Sequence, residues 1–371
     1  MIKESTIREI TSKAKGVGFE EVQFTNFEKF DFYSQNLKEF IKNKKYGEML
    51  WLEDKAKIRS NPKNIWAEAK SAIVLGLNYA PDINPMQGLK KSDKAYISIY
   101  ARRKDYHKVI KSKLKSLARD ISSTQGMKVK VFVDTAPLME KPLAELSGTG
   151  WFGKNTNIVS KKFGSWLFLG IILTNQKFLN TTEIKRNCGK CKSCIEVCPT
   201  KAFDSPYKLD ATKCISYLTI EHKTQIDYKY RKAIGNRIFG CDDCLSICPW
   251  NKFAKKYNEM KFDIIKKLEL PSLKKLICFD EYAYRTYFSG TPLRRLGYIR
   301  FLRNVLIAIG NTKKQCFSCH VIKKLDFEDE IVKSIAVWSL YNINKKAYRI
   351  EKQKRYFKEK SSLVKKEWDR F

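Results

Sequence analysis

No stretch of this 371-residue chain stays apolar long enough to span a bilayer. The longest runs, Ser71–Leu77 and Trp166–Thr174, fall far short of the roughly 20 residues a membrane helix needs. The start, Met1-Ile2-Lys3-Glu4-Ser5, leads into an amphipathic stretch with no apolar leader core, so a soluble protein of the reducing cytoplasm is expected. No GxGxxG follows a strand-like run, and no GxxxxGK precedes Ser or Thr, which leaves a dinucleotide fold and a phosphate-binding loop without support. Acidic residues are scarce: 39 Asp+Glu face 73 Lys+Arg, a formal net charge of +34. A field of that sign attracts polyanions, nucleic acid first among them; a general drift of composition toward Lys, Asn and Ile is the competing explanation.

Apolar material is ample. The hydrophobic fraction is 43%, with 22 Phe, 18 Tyr and 7 Trp, enough for the cores of two or three domains. Residues 5–16 read as a helix, Ser71–Asn78 as a buried strand and Tyr96–Tyr100 as a second β-rich run. Lys104–Ile121 carries Ile110, Leu114, Leu117 and Ile121 at helical spacing, Lys128–Asp134 alternates as a strand ending on an aspartate, and Trp166–Thr174 is another strand. Strands alternating with helices predict an α/β domain over 1–180. A cysteine-dense domain follows over 181–256, and helices dominate 257–371. There Leu293–Ile309 and Ile331–Leu340 suggest a short helical-repeat cap, and the Lys-rich stretch 345–371 reads as a solvated charged helix.

Eleven cysteines in a reducing compartment point to metal or redox chemistry and not to disulfides. Cys188, Cys191, Cys194 and Cys198 follow the C-x2-C-x2-C-x3-C-P run of bacterial ferredoxins, in which the fourth cysteine serves a second cluster. Cys241, Cys244 and Cys248, the last followed by Pro249, repeat it without the first ligand, and Cys214 lies 27 positions upstream to supply one. The count then closes on two [4Fe–4S] clusters: Cys188, Cys191, Cys194 and Cys248 on one; Cys198, Cys214, Cys241 and Cys244 on the other. Zinc also takes CxxC pairs but does not account for the crossed fourth ligand. Of the remaining three, Cys316-Phe-Ser-Cys319-His320 has the spacing of a c-type haem attachment. That chemistry belongs to exported proteins, so Cys278, Cys316 and Cys319 are expected to pack as small apolar residues among the helices, with no assigned role.

Several segments, in order, resemble one family. They are Arg59-Ser-Asn-Pro62 with Ala72–Tyr79, Tyr100–His107, Val133-Asp-Thr-Ala-Pro137, Gly148–Thr156 and Gly164-Ser-Trp166. After the first cysteine run come Cys214–Thr219, Ile234–Cys244, Phe288–Arg295 and Phe301–Asn311. Together they are similar to the epoxyqueuosine reductases, cobalamin-dependent iron–sulfur enzymes of tRNA modification, over about residues 5–345. The resemblance implies an α/β cobalamin-binding domain, a ferredoxin-like domain with two clusters and a HEAT-like helical cap. The cofactor would rest as cob(II)alamin and act as cob(I)alamin, and the substrate would be a tRNA with a GUN anticodon. A monomer fed by an external electron donor is expected.

By the same resemblance Asp134 is the proton donor, on the expectation that burial raises its pKa. Arg59, Ser98, Asp134, Ile158, Leu169, Ser216, Cys241 and Asp242 form the corrin pocket. Lys154 and Asn155 either line it or make a plain turn. Lys223, Arg294, Arg295, Arg300 and Arg303 are candidate phosphate contacts. Asp105-Tyr106-His107 shares only the start of a D-x-H-x-x-G cobalamin motif, because Ile110 replaces its glycine, and His107 is read as a structural residue at a helix start. At the C-terminus the chain departs from longer family members, which continue through more helical repeat. Two other readings stand beside this one: a corrinoid reductive dehalogenase, and a non-catalytic iron–sulfur protein for electron transfer or nucleic-acid binding.

Overall fold

The computed structural model describes residues 2–179, 185–254 and 263–371; the domain boundaries placed after residues 180 and 256 lie outside the described residues. The chain forms two compact units that alternate along the sequence. One comprises Met1–Ile83, Asp105–Thr212 and Asp243–Asp263; the other comprises Asn84–Lys104, Lys213–Asp242 and Ile264–Phe371. No described helix is long and apolar enough to cross a membrane.

The first unit is built on α1 (Glu4–Gly16), β1 (Glu21–Asn26), β2 (Ser71–Asn78), α2 (Tyr106–Gln125), β3 (Val129–Phe132), α3 (Glu140–Leu146) and β4 (Leu167–Thr174). All eight residues of β2 are buried, as a continuous apolar run requires, and the sheet order is β1-β2-β4-β3. Helices and strands alternate as expected, but every pairing in this sheet is antiparallel: Ser71 faces Thr174 across β2–β4, and Phe132 faces Ile171 across β3–β4. On α2 the expected face is the buried one, with Val109 added to Ile110, Leu114, Leu117 and Ile121; the Asp105 side chain caps its start and Gly126, at φ +61, ends it. Strand β3 stops two residues short of Asp134, which falls in the following loop.

In the second unit Tyr96–Ile97 pairs in parallel with Arg237–Phe239, and the rest is helical. The apolar run from Leu293 divides at Gly297, whose φ of +86 separates a 3-10 turn (Pro292–Leu296) from α4 (Tyr298–Thr312). Helix α5 (Glu330–Ile343) packs on α4 so closely that a Cβ at Gly310 would meet the Trp338 ring at 2.3 Å. The Lys-rich end is not a solvated helix. It forms α6 (Lys345–Arg355) and α7 (Ser362–Asp369), and α7 docks on α5. Trp368 supplies the apolar anchor, and Glu367 pairs with Arg231 at 2.7 Å, both side chains 1% exposed. Removing one member of such a buried pair costs about 3–5 kcal/mol.

Candidate active site and cysteine cradle

Six of the eight expected ligands lie in the first unit: Cys188, Cys191, Cys194, Cys198, Cys244 and Cys248. Two short helices, Ser193–Glu196 and Asp243–Ser246, carry parts of the two runs and pack on each other. The loops around them are held by side chains from the Gly148–Thr156 segment. Lys154, 8% exposed, donates from Nζ to the Gly189 carbonyl at 2.6 Å and the Cys191 carbonyl at 2.8 Å. Asn155 donates to the Cys244 carbonyl at 3.0 Å. On the other side Asn251 donates to the Leu245 carbonyl at 2.7 Å and accepts from the Ser165 N–H at 2.9 Å. A Cβ at Gly164, where φ is +57, would meet Asn251 Oδ1 at 2.5 Å, so the turn admits only glycine. Lys154 and Asn155 are thus bonded to the backbone of the cysteine loops.

Four of the thiols act on one another. Burial, together with the neighbouring Cys188, Cys248 and Cys191, pushes the Cys194 thiol up to about 11. Burial and the charges of Cys188 and Cys191 raise Cys248 as well, against a hydrogen bond from Ser165. Cys191 is lowered, chiefly by the Ser193 hydroxyl. Four thiolates can share so small a space only around a cationic core, which an iron–sulfur cluster supplies. Among the described residues no three His, Cys, Asp or Glu side chains are gathered to hold a single metal ion. Cys198 accepts from the Ala202 N–H at 3.3 Å; Cys214 and Cys241 belong to the second unit, Cys214 at the start of the helix Ile215–Ile220. Cys278, Cys316 and Cys319 are exposed, which overturns the expectation that they pack as small apolar residues; their helices turn that side to solvent.

The second cluster of polar groups in the first unit surrounds Asp134. Its Oδ2 accepts from the Tyr106 hydroxyl and lies 3.1 Å from His107 Nε2, while His107 Nδ1 lies 2.7 Å from Asp105 Oδ1. Tyr106 is held flat on Phe168, with ring centroids 4.4 Å apart. Burial works against the His107 imidazolium, but hydrogen bonds to Asp105 and Asp134 and the charges of both overcome it and push His107 up to about 9. The expectation of a raised Asp134 is not met. Its surroundings push it upward by desolvation, but hydrogen bonds from His107 and Tyr106 and the His107 charge win, and the carboxyl sits below its ordinary value. Its side chain is 58% exposed. His107 sits at the start of α2 as expected, and its ring also reaches Asp134. The adjacent Asp-x-His pattern was the only sequence signal for it.

Arg59 is half-buried beside Asp134 and Glu140, stacked over the Trp51 ring at 4.8 Å, and its Nε is buried without a hydrogen-bond partner. Ile158 lies in the apolar cluster of Phe27, Phe30, Trp66, Leu143 and Ile171, and half-buried Leu169 packs against it. In the second unit Ser98 and Asp242 meet: buried Asp242 accepts from Ser98 Oγ at 2.6 Å, Tyr96 OH at 2.7 Å and the Ile99 N–H at 2.8 Å. Ser216 is half-buried two residues beyond Cys214. Among the candidate phosphate contacts, Lys223, Arg294 and Arg295 are exposed. Arg300 donates to the Ile220 carbonyl at 2.7 Å. Arg303 is corrected: it is 0% exposed, its guanidinium spent on the Leu218, His222 and Thr224 carbonyls, so it ties helix α4 to that loop and has no face for a phosphate.

Cysteines that raise one another's proton affinity, on loops clamped by side chains, fit an iron–sulfur protein, and residues 187–251 match the family model of a 4Fe-4S double cluster binding domain. Residues 59–135 match the model described as epoxyqueuosine reductase QueG, DUF1730. The epoxyqueuosine reductase of Pseudomonas aeruginosa is 37% identical over 328 residues, 87% of this chain and 91% of that protein. A crystal structure of epoxyqueuosine reductase with an epoxyqueuosine-modified tRNA-Tyr stem loop superposes with a TM-score of 0.89 at 27% identity, covering 98% of this chain and 97% of that one. The Bacillus subtilis enzyme, solved with its Asp134 catalytic loop swung out of the active site, superposes at 0.88 and 26% identity with the same coverage. This chain belongs to the epoxyqueuosine reductase family and is an oxidoreductase.

Proposed function

We propose that this chain reduces epoxyqueuosine to queuosine at the wobble position of tRNA, with Asp134 delivering the proton to the opening epoxide oxygen. The observation that carries the acid assignment is the chain Asp105–His107–Asp134, which keeps a protonated imidazole against the Asp134 carboxylate at neutral pH. Removing the epoxide oxygen takes two electrons and two protons and releases water, and an alkoxide leaves poorly unless protonated. A bound cobalamin would supply the reductant for the epoxide carbon, and two clusters the single electrons that renew it.

Arg59, with its orphaned buried Nε, and the half-buried Leu169 fit an amide-fringed apolar ring, and Ile158, Ser98, Ser216, Cys241 and Asp242 complete the residues assigned to it. Cys188, Cys191, Cys194 and Cys248 hold one cluster in this reading; Cys198, Cys214, Cys241 and Cys244 hold the other. Substrate arrival at the exposed Asp134 removes water from its carboxylate, which raises its proton affinity and draws the proton across from His107 Nε2; the Tyr106 hydroxyl keeps the carboxylate aligned meanwhile. Lys223, Arg294, Arg295 and Arg300 neutralise tRNA phosphates from a HEAT-like helical cap, a role the +34 balance favours. The protein works as a cytoplasmic monomer on GUN-anticodon tRNAs.

The test is anaerobic. Reconstituted protein with cobalamin, a chemical reductant and epoxyqueuosine-containing tRNA is digested and its nucleosides weighed by mass spectrometry. The expected product is one oxygen lighter and absent without cobalamin. Unchanged nucleoside, with clusters and cobalamin both bound, would remove the tRNA substrate and favour a dehalogenase-like reductase of a small molecule.

A further inference from the structure

Asp134 sits in a backbone conformation that is uncommon for a non-glycine residue, though aspartate tolerates it better than most. Its φ is +48, in the left-handed region, where a side chain costs of order 1 kcal/mol or more. The loop around it is tight: Thr135 N–H donates to the Val133 carbonyl at 2.5 Å, and Leu138 N–H to the Ala136 carbonyl at 2.8 Å. Tyr106 and His107 hold the carboxylate end, but they do not hold the backbone. The Asp134 N–H instead donates to Glu140 Oε1 at 2.5 Å.

Glu140 is well placed for that. It opens α3, whose Leu143 and Ala144 are locked into the apolar cluster with Leu138, so the acceptor stands on a rigid element and not on the loop itself. We propose that Glu140 is a positioning residue of the reaction: by accepting the Asp134 N–H it fixes the left-handed backbone that aims the Asp134 carboxylate at Tyr106, His107 and the substrate. This rests on the reading of Asp134 as proton donor. The charged groups that act on this pair are consistent with it. Burial first, then the Asp134 charge, pushes the Glu140 carboxyl up to about 8 against the Asp134 N–H bond and the pull of His107 and Arg59, so at neutral pH it accepts the N–H while adding little negative charge beside Asp134; Lys141 acts on Asp134 from the same helix.

The experiment uses the holoenzyme with both clusters and cobalamin. Hydrogen–deuterium exchange resolved to the Asp134 amide should show protection in the wild type and in Glu140→Gln, which keeps an acceptor, and loss of it in Glu140→Ala. In turnover, Glu140→Ala should lower kcat about 10- to 100-fold with the KM for tRNA unchanged, and Glu140→Gln should restore most of it. An unprotected Asp134 amide in the wild type, wild-type kcat in Glu140→Ala, or a loss carried wholly by KM would each overturn the proposal. So would equal losses in the Ala and Gln variants, which would make charge and not the hydrogen bond the cause. If Glu140→Ala does not fold, wild-type amide protection and the Gln variant decide alone. Asp134→Asn run in parallel separates the two levels: full turnover in that variant removes the acid reading, while the amide measurement still reports on Glu140.

Discussion

The cysteine cradle and the Asp134 loop belong to the same compact unit and are built in opposite ways. The cradle is held by side chains from several segments. Its loops are clamped through their carbonyls by Lys154, Asn155 and Asn251, a glycine is required at position 164, and its thiols are half-buried. The Asp134 loop is exposed, carries a positive φ, and depends on side chains from three separate segments: Tyr106 and His107 on α2, Glu140 on α3 and Arg59 before β2. Under the proposed function the difference follows from what each must do. Electron-transfer ligands must not move when charge changes. A proton donor must meet a large substrate and be reloaded, which favours a loop whose stability lies at the low end of the molecule.

The comparison breaks most visibly at the cradle. Cys248→Ser removes a ligand that three other thiols surround, and iron should fall from about eight atoms per chain to about four, with turnover lost. Iron at the wild-type level, measured by chelation after unfolding, would remove Cys248 from the first set. A smaller effect is expected at the loop. His107→Gln keeps a hydrogen bond to Asp134 but no titrating proton, and kcat should fall about 10²-fold with tRNA affinity retained.

The same residue sets a pH limit. Because its folded value is raised to about 9 from 6.5, the stability and the acid it contributes are fully present below about pH 6.5 and are lost as pH rises through 9. The alkaline limb of kcat should therefore vanish in His107→Gln; a limb that persists unchanged would assign it to another group. The mildest expected change is Lys154→Met. Two charge-assisted hydrogen bonds to the first cysteine loop are lost, worth about 1–3 kcal/mol of local stability each, and iron should be retained less well on gel filtration while the Asp134 loop stays as it was.

The two regions also differ in how far the sequence discloses them. A cubane's ligands come close together in the chain because one loop wraps three corners, so spacing alone assigned Cys188, Cys191 and Cys194, and the incomplete second copy pointed to Cys214. Buried strands were equally legible, since β2 and β4 are continuous apolar runs. The antiparallel pairing was not, because alternation of strands and helices does not encode strand direction. Asp134 came from its place in a matching segment. Glu140, which accepts its N–H, did not, because it carries no pattern of its own until the fold brings it beside Asp134. Arg303 misled for a related reason: a cation in a basic stretch looks solvated until its carbonyl partners are seen. The docking of the Lys-rich end likewise rests on contacts the sequence does not pair, among them buried Trp368 and Val364 and the Glu367–Arg231 ion pair.

The most direct measurement is single-turnover reduction by Asp134→Asn, with clusters and cobalamin loaded and tRNA saturating. Asparagine keeps the size and can occupy the left-handed conformation but cannot hand on a proton. Loss of at least about 10²-fold in the rate of the lighter nucleoside, with tRNA binding unchanged, is the result expected of a proton donor. A rate equal to that of the wild type would show that the opening oxygen takes its proton elsewhere.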